Sequence, residues 1–239
     1  MSLLLSGCAT VYNPATQRKE VILINDATEV SLGRNVAAEL AKKQKIYRDA
    51  ADLGRVRWMG RRIALVCDRT NIPYEFNVID DPELNALSLP GGFVYINKGL
   101  LDKLNDDELA FVLGHEVGHV AAKHAVKKVQ SGMAFQLIIA LALAGAGGKN
   151  QEAASSIADA SGTVYNLISL GYSRQDEYFA DKLGVRYAWR AGFAPGSAIT
   201  ALEKIKQAEQ PNKILGYLRT HPYIEDRIRA LRTEIPQIK

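Results

Sequence analysis

The sequence predicts an α+β fold that is mainly helical, with one small sheet. Three observations carry that expectation. Apolar residues recur at helical spacing through most of the chain from Thr28 onward. Strand-like signals are confined to Tyr74–Ile79, which alternates, and to two short runs, Asn85–Leu89 and Phe93–Asn97, flanking the turn Pro90-Gly91-Gly92. The composition, 47% apolar and 23% charged over 239 residues, is that of a globular chain long enough to bury a core without disulfides.

The chain opens Met1-Ser2-Leu3-Leu4-Leu5-Ser6-Gly7-Cys8. Leu5-Ser6-Gly7-Cys8 resembles the lipobox of bacterial lipoproteins, where a leader is removed before a cysteine that then carries acyl chains. Cys8 is therefore the expected lipidation site and membrane anchor. Residues 9–27 are polar and turn-rich, so residues 1–27 are expected to be a lipobox remnant and polar spacer, and 28–239 a single domain. Cys67 is the second of two cysteines, expected as a buried free thiol; a disulfide framework and a Cys-based zinc finger are both excluded.

Within the domain, Val30, Leu32, Val36, Leu40 and Ile46 predict a helix over 28–52. Val56, Met59, Ile63 and Val66 predict another over 53–70, whose opposite side carries Arg55, Arg57, Arg61, Arg62 and Arg69. Past the strands, Asn105 is a good N-cap with Glu108 three residues on, and the helix it starts runs through Val112 and Val117 into His119 and beyond. Residues 129–148 carry no charge, but the strongly apolar part is short and rich in Ala and Gly. A buried or cleft-flanking helix is expected there rather than a membrane span. Helices at 153–170 and 173–191 follow, and two or three short helices close the chain. The net charge of +4 is too small to point to nucleic acid, and no nucleic-acid partner is expected.

The chemistry is concentrated in His115-Glu116-Val117-Gly118-His119, an H-E-x-x-H sequence. Residues four apart share a helix face, so both imidazoles can reach one zinc ion, while Glu116 sits beside it as a general base for water. With four histidines in the chain, chance would supply only about 0.004 such matches. Gly118 weakens the helix and implies a close approach there. Ala122 and Ala125 exclude a third ligand further along the same helix at the metzincin spacing, so the third is sought in Ser173–Asp181. His124, about 140° around an extended helix from His119, is expected to face solvent or a partner.

HEVGH, followed by S-R-x-x-E-x-x-A-D over Ser173–Asp181, resembles the M48 family of zinc metallopeptidases. Asn85–Tyr95 with its P-G-G turn, Asn105–His119, and Thr220-His221-Pro222 with Arg227-Ile228 fit the same pattern, and together they cover most of residues 50–235. The resemblance implies a zincin-like peptidase domain with a small mixed sheet over the HExxH helix, holding one zinc ion per chain. His115, His119 and Glu177 would be zinc ligands, Glu116 the general base, Asp181 a carboxylate orienting a ligand histidine, and His221 a stabiliser of the oxyanion. Glu177 and Asp181 are four apart on one helix face, whereas Asp176 points about 100° away. The strand at Asn85, Ala86 and Leu87 would bind substrate backbone. The implied protein is a zinc endopeptidase on the periplasmic side of the bacterial cell envelope, acting on unfolded or misassembled envelope polypeptides. A zinc-binding holdase and a membrane-embedded processing protease are the alternatives.

Overall fold

The computed structural model describes residues 10–131, 161–208 and 216–237. Cys8, and all but the first three residues of the apolar 129–148 segment, lie outside them. The described chain is mainly helical, as expected. An N-terminal hairpin pairs β1 (Thr10–Asn13) with β2 (Arg18–Val21). Helices α1 (Asp26–Lys43) and α2 (Ala50–Val66) follow, then strands β3 (Glu75–Ile79), β4 (Ala86–Leu89) and β5 (Phe93–Asn97). The remainder comprises α3 (Lys98–Lys103), α4 (Asp106–Ala121), α5 (His124–Ser131), a helical stretch α6 at 161–169, α7 (Arg174–Arg190), α8 (Ser197–Gln207), α9 (Gly216–Thr220) and α10 (Ile224–Glu234). Among the described residues no helix is long and apolar enough to cross a membrane.

The hairpin corrects the expectation of a spacer before residue 28. Asn13 accepts the Ala15 N–H at 3.0 Å to close the turn, and Gln130 holds the hairpin to α5 through Leu23 N–H and Val21 C=O. Ile22 and Ile24 are buried. The turn-rich composition was that of a hairpin turn. Helix α1 also stops earlier than expected, because Ile46 leaves the helix to form a bridge with Ile79. Helix α2 starts earlier, capped by Asp49, which accepts from Ala51 and Asp52.

The sheet is mixed, ordered β3-β5-β4, with β3 parallel and β4 antiparallel to β5. The two faces of β5 serve two cores, as period-two alternation requires. Val94 and Ile96 pack with α2 and α4, while Phe93 and Tyr95 pack with Leu32, Val36 and Leu40 of α1. The Pro90-Gly91-Gly92 turn needs its glycines: both have positive φ, and a Cβ at Gly92 would lie 2.1 Å from the Pro73 carbonyl oxygen.

Helix α4 is buried on every side from Glu108 to Ala121, the pattern of a central helix. Its closest partner is α7. A Cβ at Gly114 would sit 2.6 Å from Gly184 O, and one at Gly118 would sit 3.0 Å from Ala180 O. These glycines let the two backbones nearly touch. That contact supplies the close approach the sequence implied at Gly118, and it sets the distance between the side chains of the two helices.

Candidate metal centre and active site

Helix α4 begins with the expected capping box, Asn105 and Glu108 exchanging side-chain and backbone bonds. One turn apart on its inner face, His115 and His119 are fully buried, with their Nε2 atoms 3.0 Å apart. Helix α7 begins with a second capping box, Ser173 with Asp176, and presents Glu177 to the same point. Glu177 Oε2 lies 3.5 Å from His115 Nε2, and Oε1 lies 3.5 Å from His119 Nε2. His221, just past α9, brings its Nδ1 to 3.2 Å from His115 Nε2 and 3.3 Å from Glu177 Oε1. One ligand atom from each of these four buried residues lies within 4.8 Å of all the others. His221 Nε2 faces the Ala86 carbonyl at 3.2 Å, so the neutral ring carries its proton on Nε2 and turns a bare Nδ1 toward the cluster.

Behind the donors lies a buried charge network. Asp181 Oδ1 accepts from His115 Nδ1 at 2.9 Å, a contact of the kind by which a carboxylate orients an imidazole. Arg227, itself fully buried, clamps Asp181 with two bonds of 2.6 and 2.8 Å and reaches Glu177 Oε2 at 2.9 Å. Burial would raise both carboxyls, but Arg227 holds Asp181 low, and His221 with Arg227 hold Glu177 well below the usual carboxylate range. Burial and the nearby Arg227 push His115 down to about 4, so its imidazole is neutral and ready to ligate. Burial opposes protonation of His221, but Glu177 and Glu116 facing it raise its pKa.

The donor set fits a metal ion on physical grounds. Three buried carboxylates, Glu116, Glu177 and Asp181, gather at the site, where among the described residues Arg227 is the one guanidinium that pairs with them, and a divalent cation would balance the formal deficit. Neither Glu116 oxygen has a hydrogen-bond partner among the described residues, although His221 Nε2 lies 3.3 Å from Oε1. Beside the cluster a cavity of about 30 Å³ is bounded by His221, Tyr172, Tyr165 and the strand residues Asn85, Leu87 and Ser88. Asn97 N–H bonds Asn85 O, so Asn85 and Leu87 direct their backbone groups inward to β5. Of the three strand residues expected to bind substrate, it is Ala86, with Ser88 beyond it, that faces the edge of β4, which has no strand partner among the described residues.

His124 does not face solvent or a partner. It is buried, and its Nδ1 lies 2.8 Å from His119 Nδ1. The helical extrapolation fails because α4 ends at Ala121 and Lys123 takes a left-handed φ of 58°, so the chain turns before α5 begins at His124. Burial and neighbouring His119 hold His124 well below its ordinary pKa. Arg69 is likewise not part of the exposed arginine face of α2, being buried against Glu29. Sequence reasoning assigned no role to Arg227 or Tyr172. Arg227 was signalled only by its place after Thr220-His221-Pro222. Tyr172 precedes the capping serine of α7, stacks on His119 with ring centroids 4.2 Å apart, and has no hydrogen-bond partner for its buried hydroxyl among the described residues.

An H-E-x-x-H helix crossed by a carboxylate-bearing helix, under a small mixed sheet with a free edge, defines a metallopeptidase. The chain belongs to peptidase family M48, whose family model matches residues 50–235. It is 34% identical to the mitochondrial metalloendopeptidase OMA1 of Schizosaccharomyces pombe over 184 residues, 74% of this chain and 51% of that protein. It is 26% identical to the beta-barrel assembly-enhancing protease of Escherichia coli K12, over 88% of this chain and 44% of that one. The chain thus spans about half the length of these relatives. It is also 24% identical to the metalloprotease YcaL of the same bacterium, over 97% of this chain and 92% of YcaL.

Proposed function

We propose that the chain is a zinc-dependent endopeptidase of the bacterial cell envelope, tethered on the periplasmic side through Cys8, that cleaves unfolded or misassembled envelope polypeptides. One observation carries the reading: a buried Glu116 carboxylate without a hydrogen-bond partner among the described residues, beside four convergent donors and a strand edge unpaired among those residues. His115, His119 and Glu177 would hold the zinc. When bound, zinc polarises a carbonyl and makes water acidic enough to lose a proton near neutral pH.

The remaining chemistry falls to this chain's own residues. The Glu116 carboxylate takes a proton from the attacking water and passes it to the leaving amine nitrogen. The Ala86 carbonyl already accepts from His221 Nε2–H, so the outward N–H of Ala86 and the outward N–H and C=O of Ser88 would bond an extended peptide strand and set it beside Glu116, a mode open to unfolded chains and closed to folded ones. A hydrolytic site keeps one position for water. His221, whose Nε2 lies 3.3 Å from Glu116 Oε1 and 3.2 Å from the Ala86 carbonyl, would donate from that nitrogen to the developing oxyanion. The name of the Escherichia coli relative, a beta-barrel assembly-enhancing protease, supports polypeptides that have failed to assemble as substrates.

The test is digestion of an unfolded protein such as casein, with product termini sequenced. Cleavage should fall at internal bonds, stop with chelator and return with zinc. Glu116→Gln should retain metal and lose about 10²–10⁴-fold in rate. Wild-type digestion by Glu116→Gln, or by the chelated protein, would refute the proposal.

A further inference from the structure

We infer that His124 is a positioning residue for the metal centre: it holds His119 in its ligating orientation, and Asp176 in turn holds His124. The inference rests on metal binding by the His115, His119 and Glu177 cluster.

The argument starts from proton counting. His119 Nε2 faces the donor cluster, 3.0 Å from His115 Nε2 and 3.5 Å from Glu177 Oε1. An imidazole that gives Nε2 to a metal carries its single proton on Nδ1. Among the described residues that Nδ1–H has one hydrogen-bond partner, His124 Nδ1 at 2.8 Å, a normal hydrogen-bond distance. Two ring nitrogens so placed share one proton, so His119 donates and His124 accepts through a bare Nδ1. The proton of His124 then sits on Nε2, which faces Asp176 Oδ1 at 3.5 Å.

Asp176 is fixed for this. Its Oδ2 accepts from the Ser173 hydroxyl at 2.6 Å and the Ser173 N–H at 3.2 Å, closing the capping box of α7, and its Oδ1 is left toward His124. The side chains line up as Asp176, His124, His119 and the ligand cluster. This parallels Asp181 and His115, where a carboxylate accepts directly from Nδ1 at 2.9 Å. Each ligand histidine thus has its outer nitrogen held, one by a carboxylate and one by a neutral imidazole that a carboxylate faces. Outer partners of this kind fix tautomer and ring orientation. His124 is buried, so water does not replace it.

The test uses zinc and a competing chelator. His124→Leu removes the acceptor and should weaken zinc binding by about 10–100-fold. His124→Asn, whose Oδ1 falls near the place of Nδ1, should recover most of that loss. A structural role alone would make both variants melt lower without this split in affinity. A second readout needs no variant: the zinc-loaded wild type, labelled with nitrogen-15, should show a coupling across the hydrogen bond between His119 Nδ1 and His124 Nδ1. Wild-type zinc affinity in His124→Leu, equal losses in the Leu and Asn variants, or absence of the coupling in the zinc-loaded protein would each overturn the inference. Failure of the metal-site reading is distinct, since the wild type itself would then bind no zinc.

Discussion

Replacing Gly114 by alanine should disable the site while leaving the domain folded. A Cβ at Gly114 would lie 2.6 Å from Gly184 O, whereas ordinary contacts begin at 3.4 Å, so α4 and α7 must separate by about 0.8 Å. Alanine adds about 1 kcal/mol of helix propensity, and overpacking a well-filled contact costs about 1–3 kcal/mol. The net change is a loss of about 0–2 kcal/mol, which the domain should survive. The site is less forgiving. The proposed ligands are divided between the two helices, and a 0.8 Å shift stretches the 2.9 Å contact of His115 with Asp181 beyond hydrogen-bond range. A misplacement of about 1 Å costs about 10²-fold in rate, and a lost orienting contact weakens metal binding about 10–100-fold. The control is Gly54→Ala in α2, where a Cβ meets nothing within 4 Å; it should stabilise by about 1 kcal/mol and leave activity unchanged. Urea melts, chelator competition and digestion of an unfolded substrate read the three quantities. If Gly114→Ala gains stability as Gly54→Ala does and keeps wild-type metal affinity, the close-contact reasoning is wrong.

Glu177→Ala should lose most metal affinity and Asp181→Ala about 10–100-fold; chelator titration checks both, and full retention in Glu177→Ala contradicts the ligand assignment. Acid stability should depend on Asp26. Burial would raise this carboxyl, but its bond to Lys123 and the charge of Arg69 outweigh that and hold it at about 2 against an ordinary 3.8. A depressed carboxyl contributes stability that is complete above its unfolded value and lost as pH falls through its folded value. The stability difference between wild type and Asp26→Asn, about 1 kcal/mol after solvent screening, should therefore shrink as pH drops from about 4 to about 2. Urea melts across that range check it, and a difference that stays constant with pH counts against the ion network.

The parts of this protein legible in the sequence are those written in local spacing. His115 and His119 share a face because the helix repeat alone puts them there, and the capping box at Asn105 marks where that helix begins. The strands and the P-G-G turn were legible for the same reason, since alternation and positive-φ glycines are properties of a few consecutive residues. Even the pairing of Glu177 with Asp181 follows from their i, i+4 relation on one helix. Where the local rule was carried past a break, it failed. His124 was referred to a helix that ends three residues earlier, and one left-handed residue, Lys123, turned it from the expected outer face onto His119.

What the sequence by itself determined is the pattern of the site: an H-E-x-x-H helix, a second helix with Glu177 and Asp181 on one face, and a small sheet. What only the tertiary structure decided is how residues far apart in the chain meet. Arg227 reaches across 46 positions to hold Asp181, and His221 joins the donors from 106 positions beyond His115. Ala86, and neither Asn85 nor Leu87, turns its backbone to the free edge, because the ladder register with β5 sets that parity. Each of these depends on the close crossing of two helices or on strand register. Contacts of that kind are chosen by packing over the whole domain, and no short window of residues contains them.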